Sequence, residues 1–346
     1  MTYNKKYVID TMVELLTTPS PSGDTENAIA FVEQCFKDLK ISTKRTLKNA
    51  LIATIEGKDD TKHRTVSAHV DTLGCMVREI TKEGTLRLSQ IGGYAWSTIE
   101  GEYCNISTAE DGEISGTILF DKTSTHIHGP KVNESTRLEE NIYVRIDANV
   151  KTKEDVLALG ICVGDFVYVD SRTTVTKNGF IKSRHLDDKA CVASILGIAQ
   201  YFVDNNIKPE YTTHFFISNY EEVGHGSAAS VPPKTFEFLA LDMAVPGEGQ
   251  ESSEHEVTIC AKDTTGPYDL EFRRRLTLMA KKNNINYNID VFRFYGSDAS
   301  AALRAGHEIK HALIGPGVDC SHSYERIHQD SIDATISLAL IYLMSK

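Results

Sequence analysis

The chain has 346 residues, and at roughly 150 residues per domain this length predicts two domains. Hydrophobic residues make up 41% and charged residues 25%, which is typical of globular enzymes and excludes disordered or collagen-like chains. Acidic residues outnumber basic ones by 48 to 37, so the net charge is −11 and no nucleic-acid partner is expected. Because no run reaches about 18 apolar residues, no membrane span is expected either.

The N-terminus and the cysteines predict a cytoplasmic protein. The first residues lead into an amphipathic pattern rather than an apolar segment with a cleavage site, so no secretory signal is expected. The seven cysteines are odd in number and widely spaced, and they contain no C-x-x-C pair. This pattern favours free thiols in a reducing compartment over disulfides or a thiolate zinc site.

The first 70 residues predict two helices followed by strands. Val8, Met12 and Leu15 recur at helical spacing, and a second helix is expected after Asp24. Residues 50–55 and 65–70 predict strands, the second mostly buried. This order is typical of the start of an α/β sandwich.

Helical periodicity almost disappears between residues 75 and 182. Short β-type runs, such as 116–120 and 165–169, alternate with turn signals that include Gly92-Gly93, Asp111-Gly112 and Asn178-Gly179. One short helix is expected near residues 153–159. The segment therefore predicts a small β-barrel or β-sandwich of roughly 100 residues.

From Asp187 the α/β pattern returns. Helices are predicted at residues 188–204, 268–282 and 330–344, and strands at 213–218, 238–241 and 309–315. The predicted fold is a three-layer α/β/α sandwich with a mixed sheet, interrupted by an inserted small β-barrel. Residues 1–75 and 183–346 would form the discontinuous catalytic domain, and residues 76–182 the inserted domain.

Chemically active residue types cluster where buried strands end, which is where open α/β sheets bind ligands. His69 and Asp71 follow one such strand and point the same way from an extended chain. A metal-bound histidine usually has its second ring nitrogen held by a carboxylate, and Asp71 is near enough to do this. Asp187 and Asp188 precede a helix, where a carboxylate can also simply cap it.

Two adjacent carboxylates, Glu221 and Glu222, end another apolar strand and are followed by two glycines. One carboxylate bound to a metal and one free as a base would explain this pair. Asp242 ends a further apolar run, and His322 follows a strand and a Gly-Pro-Gly turn.

Together these positions form a candidate ligand set of two histidines and three carboxylates: His69, Asp187, Glu222, Asp242 and His322. Nitrogen and oxygen ligands without thiolate suit Zn²⁺, Co²⁺ or Mn²⁺ in a hydrolytic site. Five protein ligands exceed what one catalytic zinc needs. Two metals about 3.5–4 Å apart that share a bridging carboxylate fit the set better.

The complete pattern resembles the tetrahedral (TET) dinuclear aminopeptidases, which are family forty-two of the metallopeptidases. The resemblance lies in H-x-D, L-D-D-[RK], E-E-x-G, a strand ending in Asp and a C-terminal H-S-x-E, and it extends from about His69 to the C-terminus. Residues 296–299, Gly-Ser-Asp-Ala, also resemble a stretch of this family. The family's substrates would be short peptides, cut at the N-terminal residue.

The resemblance also implies roles for single residues. His69 and Asp242 would hold one metal, Glu222 and His322 the other, and Asp187 would bridge the two ions, which are expected to be zinc or cobalt, with manganese as an alternative. Glu221 would be the general base and Asp71 would orient His69. The inserted module would mediate self-association, expected as a dimer-based dodecamer.

Some positions depart from the family or stay open. Thr72 follows the H-x-D motif where the family usually has an acidic residue, and Cys191 stands where a glycine is usual. His126 and His128 are interpreted as exposed residues on one side of a strand, with an added metal site as the alternative. His185 and His225 each have a possible role close to the metals.

Three other functions compete with the aminopeptidase hypothesis. A dinuclear amidase that removes an acyl group from a small amine is the main alternative, because the wider fold serves both reactions. A catalytically inert oligomeric scaffold would be expected to lack Glu221 or a ligand. A glycosidase needs two carboxylates and no histidine ligands, so it is disfavoured.

Overall fold

The computed structural model describes residues 2–108 and 112–346, which form two compact units. The first unit comprises Met1–Thr72 with Arg172–Lys346, and the second comprises Leu73–Ser171. No helix in the described part of the chain is long and apolar enough to cross a membrane.

The first unit begins with two helices and three strands. These are α1 (Lys5–Thr17), α2 (Glu26–Asp38), β1 (Ser42–Arg45), β2 (Leu51–Ile55) and β3 (Asp59–His69). Helix α1 starts after Asn4, whose side chain accepts a hydrogen bond from the Tyr7 backbone N–H at 3.1 Å and so satisfies a first-turn donor.

The second unit is a closed antiparallel barrel of six strands in its described residues. Its elements are β4 (Gly74–Ile80), β5 (Leu86–Ile91), β6 (Tyr103–Ser107), β7 (Glu113–Phe120), α3 (Thr125–His128), α4 (Lys131–Glu134), β8 (Ile142–Ile146), α5 (Lys153–Ala158) and β9 (Phe166–Val169). The strands pair in the order β4-β5-β8-β7-β6-β9. Its core is filled by alternate strand residues such as Val77, Leu88 and Val144.

The chain then completes the first unit. Its remaining elements are β10 (Thr174–Val175), β11 (Phe180–Ser183), α6 (Leu186–Asp204), β12 (Tyr211–Ser218), β13 (Thr235–Leu241), β14 (Val257–Asp263), β15 (Gly266–Pro267), α7 (Leu270–Lys282), β16 (Tyr287–Val291), α8 (Asp298–Arg304), β17 (Lys310–Pro316), β18 (Val318–Asp319), β19 (Glu325–His328) and α9 (Gln329–Met344). Among the described residues, 3-10 segments occur at Gly226–Ala228 in this unit and at Trp96–Ile99 and Glu139–Asn141 in the second unit.

A large mixed sheet dominates the first unit. In the described residues nine strands join it, in the order β1-β2-β12-β3-β13-β17-β14-β15, with β16 paired to β14. Strands β12, β3, β13 and β17 run parallel. A smaller sheet has the order β10-β11-β19-β18.

Both faces of the large sheet are covered. Leu239 and Leu241 of β13 face a core shared with α1, α2, α6 and α9, whereas Phe238 and Ala240 face a second core shared with α8. This alternation follows from the two-residue period of a strand, and burial on both faces requires apolar residues on both. The predicted fold class, a mixed α/β sandwich interrupted by a β-barrel, is confirmed.

Several local features differ from the sequence-based expectations. His126 and His128 lie in helix α3, not on a strand, so side chains two positions apart do not share a face. Strands β14 and β16 were not predicted. Strand β16 exposes Ile289 and Val291 and buries Asp290, so its pattern is the reverse of the usual apolar-inside strand. Asp111, in one predicted turn, lies outside the described residues.

The boundary of the inserted module also differs in detail. Residues 172–182, which the sequence groups with the module, belong to the first unit, because β11 pairs with β19 from Phe180↔His328 to Ser183↔Glu325. This pairing spans about half of the chain, so local sequence patterns do not reveal it.

Candidate metal centre

The candidate residues meet at one edge of the large sheet. His69 is the last residue of β3 and lies opposite Ser218, the last residue of the parallel strand β12. Asp242 directly follows Leu241, the last residue of the neighbouring strand β13. Parallel strands bring their carboxyl ends to the same edge, which is where α/β sheets usually bind ligands.

The three remaining ligands come from outside these strands. Glu222 lies in the turn after β12, because that strand ends at Ser218 and not at Glu221-Glu222 as the sequence predicts. Asp187 lies in the first turn of α6, and the peptide bond between Asp187 and Asp188 is cis. His322 lies in the turn between β18 and β19, where its φ is +63°.

Asp187 is shared by two groups of potential metal ligands. One group is His69, Asp187 and Asp242, and the other is Asp187, Glu222 and His322; within each group the donor atoms lie within 4.8 Å of one another. Asp187 Oδ1 lies 3.1 Å from His69 Nε2, and its Oδ2 lies 3.3 Å from His322 Nε2. Its two oxygens therefore face two different histidines, as a bridging carboxylate requires.

The donor set fits divalent metal ions. Glu222 Oε1 and Asp242 Oδ1 are buried, and neither has a hydrogen-bond partner among the described residues. Such orphaned acceptors are costly unless a cation satisfies them. Together with two imidazoles and no thiolate, they favour ions of the zinc, cobalt or manganese class.

Burial dominates the electrostatics of these carboxyl groups. It raises the pKa of Asp242 to about 8, and the nearby charge of Asp187 acts in the same direction. Burial likewise raises the pKa of Glu222 well above its usual value, again with help from Asp187. For Asp187 itself burial is outweighed by hydrogen bonds to His322 and His69, which lower its pKa. Asp187 is therefore the best-compensated anion of the cluster.

Asp71 is placed differently from the expectation. The Nδ1 of His69 lies 2.9 Å from the backbone oxygen of Asp71, and 3.8 Å from its carboxylate. The carboxylate instead accepts hydrogen bonds from the backbone N–H groups of Glu221 and Glu222, at 3.1 and 3.3 Å, and from the Ser22 hydroxyl. Asp71 thus positions the Glu221-Glu222 turn with its side chain and His69 with its main chain.

Glu221 stands apart from both ligand groups. Its side chain is 16% exposed, against 4% for Glu222, and its Oε2 lies 3.8 Å from His69 Nε2. Burial raises the pKa of Glu221 well above its usual value, and Asp242 and Asp298 add to this effect. Glu221 is thus a carboxyl group beside the cluster with a raised proton affinity.

Three further carboxylates support the cluster, and sequence reasoning gave them no role. Glu325 accepts from the backbone N–H of Asp187 and of His322, both at 3.1 Å. Asp188 accepts from the backbone N–H of His69 at 3.2 Å. Asp298 accepts from the Ser218 hydroxyl at 2.6 Å and from the Ser227 N–H at 2.8 Å.

These three residues belong to the H-S-x-E, D-D and G-S-D-A segments. Their presence in the motifs was visible in the sequence. Their bonds to distant backbone groups depend on the tertiary fold.

A cavity of about 650 Å³ opens onto the cluster. Its walls combine the acidic groups with apolar and hydroxyl side chains, among them Met243, Val245, Thr264, Tyr295 and Ser300. The cavity is large enough for a small organic substrate, because such sites commonly measure about 300–1,000 Å³.

The other positions singled out in the sequence are also located. His185 precedes α6 in a left-handed conformation with φ +68°, and His225 is exposed. Cys191 is fully buried in α6; burial raises the pKa of its thiol well above the usual value, as does neighbouring Asp188. Thr72 is buried, and its backbone N–H donates to Ser20 O at 2.9 Å.

Comparison with known proteins identifies relatives over nearly the whole chain. The sequence profile of the M42 glutamyl aminopeptidases matches residues 49–338. The chain is 47% identical over 332 residues to YhfE of Bacillus subtilis (strain 168), a protein named as an inferred aminopeptidase, with 96% of each chain covered.

Two solved structures share the fold. A TET aminopeptidase from a marine sediment archaeon of the Thaumarchaeota has a TM-score of 0.88 at 18% identity, covering 97% of this chain and 96% of its own. The TET1 peptidase of Pyrococcus horikoshii, described as assembling into a tetrahedron or a large octahedral shell, has a TM-score of 0.84 at 22% identity. The match to the TET1 peptidase covers 98% of this chain and 100% of the TET1 chain.

Proposed function

Because the chain belongs to the M42 glutamyl aminopeptidase family, it is a hydrolase of the aminopeptidase class, and we propose that it removes N-terminal residues from short peptides at the cluster around Asp187. The observation that carries this proposal is the pair of ligand groups that share Asp187. A shared carboxylate between two histidine-containing groups is the arrangement expected of a dinuclear hydrolytic site.

The proposed ligands divide between two divalent ions, with zinc or cobalt expected and manganese as the alternative. His69 and Asp242 would hold one ion, Glu222 and His322 the other, and Asp187 both. The bound ions would supply a Lewis acid for the scissile carbonyl and lower the pKa of water. The backbone bonds from Asp187 and His322 to Glu325 support this assignment, because they hold two of the ligands in place.

Glu221 is proposed as the general base. It belongs to neither ligand group, lines the cavity and is partly exposed, so it can reach an attacking water. Its Oε2 lies 3.8 Å from Nε2 of the proposed ligand His69, a position from which it could accept a proton from water and return it to the departing amine. Asp71 holds the backbone of this residue and so sets the direction of its side chain.

The family match favours the aminopeptidase over the amidase alternative, because the family model describes glutamyl aminopeptidases and the Bacillus subtilis relative carries an aminopeptidase name. Of the acidic residues that line the cavity in the described part of the chain, Glu221 is the one that is not a proposed ligand, so it would attract the substrate's free α-amine. An acylated amine carries no positive charge and loses this attraction.

The proposal is tested with aminoacyl-p-nitroanilides and short peptides, each paired with its N-acetylated counterpart. Protein stripped of metal with a chelator should be inactive, and Zn²⁺, Co²⁺ or Mn²⁺ should restore cleavage of the free-amine substrates only. Elemental analysis should show that at least two ions per chain accompany full activity. Cleavage of the acetylated series alone would establish the amidase, and full activity after exhaustive chelation would contradict the metal-dependent mechanism.

We also propose that the chain self-associates through its barrel unit. Large apolar side chains are exposed there, including Tyr103 at 68%, Ile127 at 77% and Val163 at 61%. Such side chains would be covered by a partner if they belong to one contiguous apolar patch. The solved PhTET1-12s dodecamer, and the tetrahedron or large octahedral shell of the TET1 peptidase of Pyrococcus horikoshii, support the dodecamer that we expect, built from dimers.

A further inference from the structure

A third group of potential metal ligands lies outside the candidate active site. His255 precedes β14, His328 ends β19, and Asp330 lies in the first turn of α9. One donor atom from each of these residues lies within 4.8 Å of the other two. None of the three belongs to the groups around Asp187 or lines the cavity beside it.

The hydrogen bonds of His328 define which of its ring nitrogens carries a lone pair. Its Nε2 lies 3.0 Å from the backbone oxygen of Asn178, which can only accept, so Nε2 carries the proton. The backbone N–H of Asp330, which can only donate, points to Nδ1 at 3.1 Å. With Nε2 bound in this way, Nδ1 is the ring nitrogen that faces the group. A metal-binding imidazole is commonly held in this way through its other nitrogen.

The position of the proton on Nε2 leaves an unfavourable contact. Asp330 Oδ2 lies 3.1 Å from Nδ1 of His328, and both atoms are acceptors. Asp330 Oδ2 also lies 3.1 Å from Nδ1 of His255. A cation shared by the three atoms would turn the repulsion between two acceptors into two attractive contacts.

The spacing of the atoms suits a transition-metal ion. Two ligand atoms each about 2.1 Å from an ion and 3.1 Å apart make an angle of about 95° at the ion. This angle lies between the octahedral and the tetrahedral value, so little movement of the side chains is needed. The side chains of His255 and Asp330 are 50% and 60% exposed, which leaves room for water as further ligands.

We propose that His255, His328 and Asp330 bind a third divalent ion, of the zinc or cobalt class. Two imidazoles and one carboxylate favour such ions over magnesium or calcium, which prefer oxygen ligands alone. Binding takes the lone pair that now accepts from the Asp330 N–H. That N–H belongs to the first turn of a helix, where water can replace the lost partner.

The ion would fasten the strand that organises the active site. Strand β19 runs from Glu325, which holds the backbones of Asp187 and His322, to His328, a distance of roughly 10 Å. Arg326 of the same strand pairs with Glu254, at 2.7 and 2.8 Å, next to His255. An ion at the far end of β19 would therefore tie this strand more firmly to the segment before β14.

The experiment counts bound ions and does not depend on activity. Wild-type protein, His255→Ala and Asp330→Asn are dialysed to equilibrium against zinc and analysed for zinc per chain. His126→Ala is the matched control, because His126 is an exposed histidine outside every potential ligand group in the described residues. The proposal expects one ion fewer per chain in both site variants than in the wild type, and no loss in the control.

Cobalt provides a second measurement on the same proteins. Visible absorption during Co²⁺ titration should show one component that is missing from His255→Ala and present in His126→Ala. Equal zinc content in wild type and both site variants would overturn the proposal, as would the same loss in the control. Since the result is a difference of one ion, it stands whether or not the proposed active site holds two.

Discussion

At the residue scale, the candidate active site contains more carboxylates than histidines, and burial, together with this excess of acidic groups, shifts their pKa values. Burial raises the pKa of Glu221, Glu222 and Asp242, whereas Asp187 keeps a lowered pKa because both histidines face it. The adjacent residues Glu221 and Glu222 nevertheless differ in burial. Glu222 is almost fully enclosed with one orphaned oxygen, and Glu221 is the more exposed of the two.

The two adjacent glutamates should respond differently to the same substitution. Glu222→Gln removes a proposed ligand and should lower the metal content per chain. Glu221→Gln should keep the metals and substrate binding but lose proton transfer, which typically costs about 10²–10⁴ in rate. Metal stoichiometry and turnover are measured for both variants under identical reconstitution. The reverse pattern would exchange the two roles, and normal turnover in Glu221→Gln would remove it from the mechanism.

Glu325 should act on the metals without touching them. In Glu325→Gln one carboxylate oxygen becomes an NH₂ group, which faces a backbone N–H and loses that hydrogen bond. Loss of such a supporting bond commonly weakens metal affinity by about 10–100-fold. Competition with a chelator measures this affinity, and Glu79→Gln on the barrel is the matched control. Unchanged affinity in Glu325→Gln would show that the two backbone bonds do not position the ligands.

At the element scale, the order of parallel strands decides which side chains meet. Strands β12, β3 and β13 are adjacent, so the segments that follow them converge although they are distant in sequence. The opposite end of the same strands carries a different polar group. There His214 Nε2 lies 2.8 Å from His63 Nδ1, and His214 Nδ1 lies 2.9 Å from the Thr54 hydroxyl.

His214 should make stability depend on pH. Burial and the neighbouring His63 lower its pKa from 6.5 to about 4, with Asp60 opposing the shift. At pH values between about 4 and 6.5, His214 binds a proton in the unfolded chain and not in the folded chain, so acidification favours unfolding. Stability is thus fully present above about pH 6.5 and falls towards pH 4. His214 should account for about 1–2 kcal/mol of the loss by pH 5, after allowance for solvent screening.

Urea unfolding of metal-free protein at pH 7 and pH 5 measures this contribution. His214→Gln keeps a hydrogen-bonding side chain but does not titrate, so its stability should fall less between the two pH values. His307→Gln, at a partly exposed histidine, is the control. An equal fall in the wild type and in His214→Gln would exclude His214 as the source.

At the scale of the whole molecule, the chain divides into two units with separate cores. The barrel core is built from residues of its own unit, and its strand residues Val77, Leu88, Val144 and Val167 are almost fully buried. The apolar side chains left exposed on this unit are therefore not needed to fill it. Covering them is the role proposed for neighbouring subunits.

A charge on the barrel surface should weaken the assembly. Ile127→Asp places a carboxylate at a side chain that is 77% exposed and should shift the protein to smaller species, because a desolvated charge opposes association. Leu278→Asp, at a side chain of α7 that is 66% exposed, is the matched control. Light scattering coupled to size-exclusion chromatography gives the masses. A monomeric wild type would contradict self-association, and a shift only in the control would move the interface to the first unit.

The sequence by itself determined the fold class and the residue types of the candidate site. Alternating helical and β-type patterns follow from local periodicity, which is why the interrupted α/β sandwich was predictable. The positions of His69 and Asp242 at strand ends, and of Glu222 shortly after one, were visible because a polar residue that follows an apolar run is a local signal. Their assembly at one sheet edge followed from the general rule for parallel strands.

The tertiary structure decided what depends on distant parts of the chain. The Asp71 carboxylate holds the backbone of Glu221 and Glu222, not the ring of His69, because the turn after β12 brings two N–H groups within its reach. Glu325 can accept the hydrogen bond from the Asp187 N–H only because β19 pairs with β11, the strand that precedes α6. Such side-chain-to-backbone bonds join residues far apart in sequence, and no local pattern records which donor a carboxylate will meet.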